Sequence, residues 1–306
     1  MRILITGGAG FIGSHLVDRF YRDNHDICVY DDLSGGKIDN IFDYEKISFF
    51  SGQKEDIPSE WIEGSVIFHL ASTADISKSM KYPFITFSEN LQLTQFLLQR
   101  SVSLGAERFI FVSSSGVYDN SAGNHVYSED SDLDPSTPYS ASKLAGECLV
   151  RMTGYSGDLP CLSIRPFNVY GPRQRVGGTD RPVIPSFLTA LCKGEPVTIE
   201  GGGEQSLDFI FVEDAARWLA GLIEVDTDVL RGQPINLGSG TTTSILDVLG
   251  LCEGIVECKT KIIHKKARSW YFRSTIADTK SMASFGRVPE RSIKDGLQRT
   301  LPYYRG

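Results

Sequence analysis

The chain has 306 residues, 41% hydrophobic and 23% charged, which is the make-up of an ordinary globular protein able to bury one large core or two modest ones. A formal charge of −7 argues against a general nucleic-acid binder. No apolar run approaches a membrane span, and the chain opens on a strand pattern instead of a basic, apolar-cored leader, so a cytoplasmic protein with neither nucleic acid nor membrane as partner is expected.

The first twenty residues organise the rest of the chain. Arg2-Ile-Leu-Ile-Thr6 is a short apolar run that reads as a buried parallel strand. Gly7-Gly-Ala-Gly10-Phe-Ile-Gly13 comes next, and Phe11, Ile12, Leu16, Val17 and Phe20 recur at helical spacing. The spacing predicts strand, tight turn, helix. Gly8, Gly10 and Gly13 match G-x-G-x-x-G, while Gly7, Gly10 and Gly13 match G-x-x-G-x-x-G. Such a turn lets the backbone approach a pyrophosphate with no Cβ in the way, at the positive end of the helix. A second strand, Ile27-Cys-Val-Tyr30, ends in Asp31, at the spacing where an acid takes the ribose hydroxyls of a dinucleotide. Asp31 and Asp32 would repel the extra phosphate of NADP, so the expected cofactor is NAD.

Ile47–Phe50, Val66–Leu70 and Phe109–Val112 are the next expected strands, with a helix over Asn90–Leu104 between the last two. Strands alternating with helices signal a doubly wound parallel sheet. The fifth strand runs into Ser113-Ser-Ser-Gly-Val-Tyr118, at the carboxyl end of the sheet, where reactive groups belong. Residues 119–138, rich in Ser, Asp, Asn and Pro, read as an exposed loop. Then Tyr139 and Lys143 stand four apart on a helix, hence on one face, where the ammonium is expected to favour the phenolate and make a base near neutral pH. Pro182–Cys192 reads as a helix, Val197–Ile199 as a strand, and Asp214–Ile223 and Ile293–Tyr304 as amphipathic helices. The six scattered cysteines read as buried free thiols. Neither they nor the five histidines show ligand spacing, so no metal is expected.

Together the glycine turn, the serine cluster and Tyr-x-x-x-Lys resemble the short-chain dehydrogenase/reductase superfamily, most closely its extended branch, the NAD-dependent epimerase/dehydratase family acting on nucleotide sugars. The likeness extends through His69-Leu-Ala71, Asn90, Arg165-Pro-Phe-Asn168-Val-Tyr-Gly-Pro172, Val183–Phe187, Gly203-Glu-Gln205, Asp208–Asp214 and Asn236–Gly240. It implies a Rossmann-type α/β fold with a smaller, interleaved C-terminal substrate domain. Residues 1–172 would bind NAD, with 208–240 rejoining them, and 173–207 and 241–306 would mainly bind substrate. The family's homodimers, formed through two helices per subunit, imply one here through Asn90–Leu104 and Ser140–Met152.

By resemblance Tyr139 is the catalytic base, Lys143 holds the nicotinamide ribose and lowers the tyrosine pKa, and Ser114 bonds the reacting hydroxyl, with Ser115 in reserve. Gly7, Gly10, Phe11, Ile12, Gly13, Asp31, Asp32, Leu70, Ala71 and Asn90 complete the cofactor site, and Asn168 and Arg268 would contact the substrate diphosphate. Family dehydratases carry Asp-Glu just after the serine or threonine, and decarboxylases tend to keep the glutamate; this chain has Ser115-Gly116. A site that makes a ketone without a further acid or base suits 4-epimerisation of a UDP-hexose or UDP-hexuronate, unless Asp75 supplies the acid. A dehydratase, an oxidoreductase on an unusual sugar-like substrate, and a non-catalytic NAD sensor are the alternatives. Two departures bear on the substrate: Leu207 stands where the family has a diphosphate-binding arginine, and Trp270 and Tyr271 replace glycine and aspartate after Arg268. Arg173, Arg175, Arg181 or Arg273 are candidates to compensate.

Overall fold

The computed structural model describes residues 1–41, 47–118, 125–176, 181–266, 274–286, 288–289 and 291–305. In chain order the first half runs β1 (Arg2–Thr6), α1 (Phe11–Arg22), β2 (Asp26–Tyr30), β3 (Ile47–Phe50), β4 (Val66–His69), α2 (Ile76–Lys81), α3 (Pro83–Leu104), β5 (Arg108–Val112), β6 (His125–Tyr127), α4 (Pro138–Ser156) and β7 (Cys161–Pro166). It continues with β8 (Asn168–Tyr170), α5 (Val183–Cys192), β9 (Val197–Glu200), β10 (Ser206–Leu207), β11 (Phe209–Phe211), α6 (Val212–Gly221) and β12 (Arg231–Leu237). The last elements are β13 (Thr243–Ser244), α7 (Ile245–Val256), β14 (Ile262–Lys265), β15 (Ser274–Ala277), α8 (Lys280–Phe285) and α9 (Ile293–Tyr304).

Seven strands form one parallel sheet in the order β12-β7-β5-β4-β1-β2-β3. The period of two along each strand sorts its side chains into two cores. Ile3, Ile5, Val66, Phe68, Ile110 and Val112 face Leu16, Val17 and Phe20 of α1 and Ala215 and Leu219 of α6. Leu4, Ile67, Phe109 and Phe111 face Leu97 and Leu98 of α3 and Val150 of α4. The sheet is covered on both sides. Sequence order runs outward from β1 in one direction to β3, then returns to β4 on its other side, so the switch point lies between β1 and β4, where open sheets of this kind form a crevice.

A four-stranded sheet, β13-β10-β15-β6, and the parallel pairs β11-β8 and β14-β9 form the rest. Three readings from sequence need correction. The helix expected from Asn90 begins at Pro83, which occupies a first-turn position where a missing N–H is harmless. The expected loop 119–138 contains β6, whose partner β15 lies far along the chain, so no local pattern announces it; Tyr127 is buried and stacks on Tyr118 with ring centroids 4.9 Å apart. Of the cysteines, Cys28, Cys161 and Cys252 are buried, but Cys148 is exposed and Cys192 and Cys258 are half-buried.

A hydrogen-bond chain fixes the loop at the switch point. Thr94 donates to the Asn90 carbonyl (3.0 Å) and so accepts from His69 Nε2 (3.0 Å). That leaves His69 Nδ1 to accept from the Thr6 hydroxyl (2.7 Å), which in turn accepts from the Ala71 amide (3.3 Å). His69 is therefore neutral; burial first, and the nearby Lys143 charge second, hold its pKa well below the usual imidazole range.

Two predictions arise here. A Cβ on Gly146 of α4 would sit 2.6 Å from the Phe111 ring, so Gly146→Ala should destabilise the fold by about 1–3 kcal/mol, read from urea unfolding midpoints. Because the folded pKa of His69 is depressed, its stabilising contribution is present above the unfolded pKa and is lost as pH falls below it. Between about pH 7.5 and about pH 5.5 the native chain should lose about 1.4 kcal/mol more stability than a His69→Asn variant.

Candidate active site

The glycine turn closes on itself and on the neighbouring loop. Gly7 has φ 72°, and a Cβ there would lie 2.8 Å from the Ala71 amide; one on Gly13 would lie 2.2 Å from the Gly7 carbonyl. Helix α1 starts behind Gly10, which provides no side-chain cap, so its first turn presents amide groups and the positive dipole end to an anion. The tight approach that side chains would fill, next to an uncapped helix start, fits the pyrophosphate of a dinucleotide. Phe11, Ile12, Leu70 and Ala71 are half-buried around it.

Asp31, at the end of β2, is buried, and its carboxylate accepts from the Ala9 amide (2.9 Å) and the Leu33 amide (2.9 Å). Burial raises its pKa, opposed by those amides. It thus braces the glycine turn itself. Asp32 is exposed and accepts from the Ser34 amide and hydroxyl. Asn90 is buried and faces protein: it accepts from the Thr73 amide (2.8 Å) and donates to Ser142 Oγ (3.0 Å), tying the loop after β4 to α4.

Ser114, Ser115, Gly116 and Tyr139 line one cleft, with Ile76, Thr137, Phe167 and Asn168. Helix α4 is begun by Thr137, which caps Ser140 in a reciprocal box, and by Pro138 at its first turn; this sets Tyr139 at the mouth. Burial pushes the Tyr139 phenol up to about 12, opposed by a hydrogen bond with the Ser114 side chain. Lys143 is buried and donates Nζ to the Val112 carbonyl at 2.8 Å, over the Phe111 ring, with Nζ 5.9 Å from the Tyr139 ring centroid. Burial pulls its pKa down to about 7, opposed by the charge of Glu147. In this arrangement the Lys143 ammonium is turned to a backbone carbonyl, and desolvation dominates Tyr139.

Further out, Asn168 donates Nδ2 to the Asp208 carbonyl (3.0 Å) at the edge of the cleft. Arg268, with Trp270, Tyr271 and Arg273, lies outside the described residues. Leu207 is buried in the larger core. Arg173 is ion-paired with Asp18 (3.0 Å), whereas Arg175 and Arg181 are exposed. Asp75, the alternative acid, caps α2 by accepting from the Lys78 amide at 2.7 Å. Among the described residues no group of three or more His, Cys, Asp or Glu could hold a metal ion, and no helix is long and apolar enough to cross a membrane.

The sequence places Ser113 in the polar cluster after β5 and Arg165 in a family-like stretch, but gives neither of them, nor Glu147, a role of its own. Ser113 Oγ donates to Glu147 Oε1 (2.6 Å), and Arg165 grips the same carboxylate through Nε (2.9 Å) and Nη2 (2.6 Å). The available signal was spacing: Glu147 stands four residues past Lys143, on the face that carries Tyr139.

Comparison with known proteins agrees with this architecture. A UDP-glucose 4-epimerase of Mycolicibacterium smegmatis is 32% identical over 313 residues, covering 100% of this chain and 99% of the relative. Among solved structures, the UDP-glucose 4-epimerase of Thermotoga maritima with UDP-glucose superposes with a TM-score of 0.91 at 30% identity, covering 100% of this chain and 99% of that one. The UDP-glucuronic acid 4-epimerase of Bacillus cereus, in complex with UDP-glucuronic acid and NAD, gives a TM-score of 0.90 at 28% identity, covering 99% of each chain. The sequence model of the NAD dependent epimerase/dehydratase family matches residues 3–238, and this chain belongs to that family.

Proposed function

We propose that this protein is an NAD-dependent 4-epimerase of a nucleotide sugar of the UDP-hexose or UDP-hexuronate class. One observation carries the reading beyond the family: the cleft pairs Ser114 with Tyr139 but has Ser115 and Gly116 where an elimination would need carboxylates, and Asp75 is engaged as a helix cap. The relatives named above are 4-epimerases of UDP-sugars.

In this reading the Gly7–Gly13 turn and the start of α1 receive the pyrophosphate, Asp31 takes ribose hydroxyls with the lone pairs its two amides leave, and Lys143 reaches the nicotinamide ribose. When bound, NAD supplies hydride acceptance from carbon 4 and its return to the opposite face of the ketone. Tyr139 does the proton work: it takes the proton of the 4-hydroxyl as the carbonyl forms and gives it back as the carbonyl is reduced. Ser114 bonds the same oxygen and holds it against the phenol. Asn168 lies where the diphosphate would pass, and Arg268 would share that contact. The buried Leu207 contributes no charge there.

A homodimer is part of the proposal. Helices α3 and α4 leave large apolar side chains outside, Phe84 at 87% and Ile85 on the first, Met152 and Tyr155 on the second, and a second copy would cover them. Free thiols at Cys28, Cys161 and Cys252 fit a reducing cytoplasm.

The test is a proton NMR time course with NAD and a panel of UDP-, dTDP-, CDP- and GDP-sugars. A second anomeric signal of unchanged mass, without net NADH, is expected for a UDP-sugar; loss of water or accumulating NADH would reject the epimerase. Tyr139→Phe should lower kcat by about 10²–10⁴-fold with NAD still bound. By analytical ultracentrifugation the native chain should sediment as a dimer and a Met152→Glu, Tyr155→Glu variant as a monomer.

A further inference from the structure

Three successive residues leaving β5 each engage a different residue on one face of α4. The Val112 carbonyl accepts from Lys143, Ser114 bonds Tyr139, and between them Ser113 donates to Glu147. Tyr139, Lys143 and Glu147 are spaced one turn apart, and the function proposed above assigns a role only to the first two. Glu147 is 3% exposed. Arg165, with no exposed surface, clamps it bidentately from β7 and uses its remaining Nη1 on the Tyr118 hydroxyl (2.9 Å) and the Glu129 carbonyl (3.2 Å). Apolar residues of the same volume often serve stability as well as a buried ion pair does. Its place one turn from Lys143 therefore calls for a different account.

We infer that Glu147, clamped by Arg165 and Ser113, is a positioning residue that keeps the Lys143 ammonium charged and seated at the Val112 carbonyl, and so holds the Ser114 strand in register with Tyr139. The groups facing Lys143 bear this out. From β5 come the Val112 carbonyl and the Phe111 ring, from β4 the neutral His69, and from α4 the Tyr139 ring and Glu147. Glu147 is the anion of that set, with Arg165 behind it. Burial alone draws Lys143 toward the neutral amine, and the Glu147 charge opposes it.

The kinetic part of the inference rests on the proposed epimerase; the titration part does not. Protein carrying ¹³Cε-labelled lysine and loaded with NAD is titrated by proton–carbon correlation NMR, with the Lys143 signal assigned from Lys143→Arg. Glu147→Gln should lower the Lys143 midpoint by about one unit or more and reduce kcat by about tenfold with KM within about twofold, the pH profile of kcat moving with the midpoint. Since Glu147→Gln leaves the Arg165 charge buried and unpaired, a second variant combines Glu147→Leu with Arg165→Met; it removes both charges at similar volume and should show the same two effects. A folded double variant whose Lys143 midpoint and kcat match the native protein overturns the inference. Should no nucleotide sugar turn over even in the native protein, the epimerase reading falls while the Lys143 midpoint still decides this one.

Discussion

The closeness of α4 to the end of β5 is the constraint on which the rest depends. Gly146 lets the helix backbone approach the Phe111 ring, since a single Cβ there would sit 2.6 Å from it. That approach brings Lys143 Nζ within 2.8 Å of the Val112 carbonyl and Glu147 within 2.6 Å of Ser113 Oγ. The alternation of β5 does the rest: Phe109 and Phe111 face α4, and Ser113 continues their side past the end of the strand. A polar residue where the apolar pattern would continue turns a packing face into a site. β7 repeats the device, with Cys161 packed on the α4 side and Arg165, four residues on, reaching Glu147.

Local features of the sequence carry most of this. The glycine turn is legible because sterics leave few other residues for a Gly7 at φ 72° or a Gly13 packed on the Gly7 carbonyl. The strands of the large sheet are legible because burial on both faces makes them near-continuous apolar runs. Strand β6 is not, because it is only three residues long and its pairing with β15 joins segments distant in sequence. The state of Tyr139 and Lys143 is not legible either. Spacing puts both on one face of α4, yet where the ammonium points depends on the Val112 carbonyl, which only the fold supplies.

Asp31 and Asp208 each organise several backbone amides with one carboxylate. Asp31 braces the glycine turn through the Ala9 and Leu33 amides. Asp208, fully buried, accepts from the Ser239 amide and hydroxyl at 2.7 Å, from the Gly240 amide at 3.0 Å and from the Ala277 amide at 3.1 Å. It thereby locks the turn after β12 to β15, while its own carbonyl accepts from Asn168. Charge in these places is consumed by architecture. The neighbouring Leu207 turns its side chain into the core, so it offers no cation toward Asn168.

The proton-handling group proposed here also accounts for a site with so few charges. A carboxylate beside the substrate, ionised at neutral pH, would take a proton reluctantly. The Tyr139 phenol is pushed up to about 12 by burial and drawn back by Ser114, so its proton is easily returned once removed, and removal depends on a cation close by. Burial draws Lys143 toward the neutral amine, and the Glu147 charge opposes it. In the proposed reaction, reversibility would then rest on the α4 face, and a second acid in the cleft would divert the ketone from it.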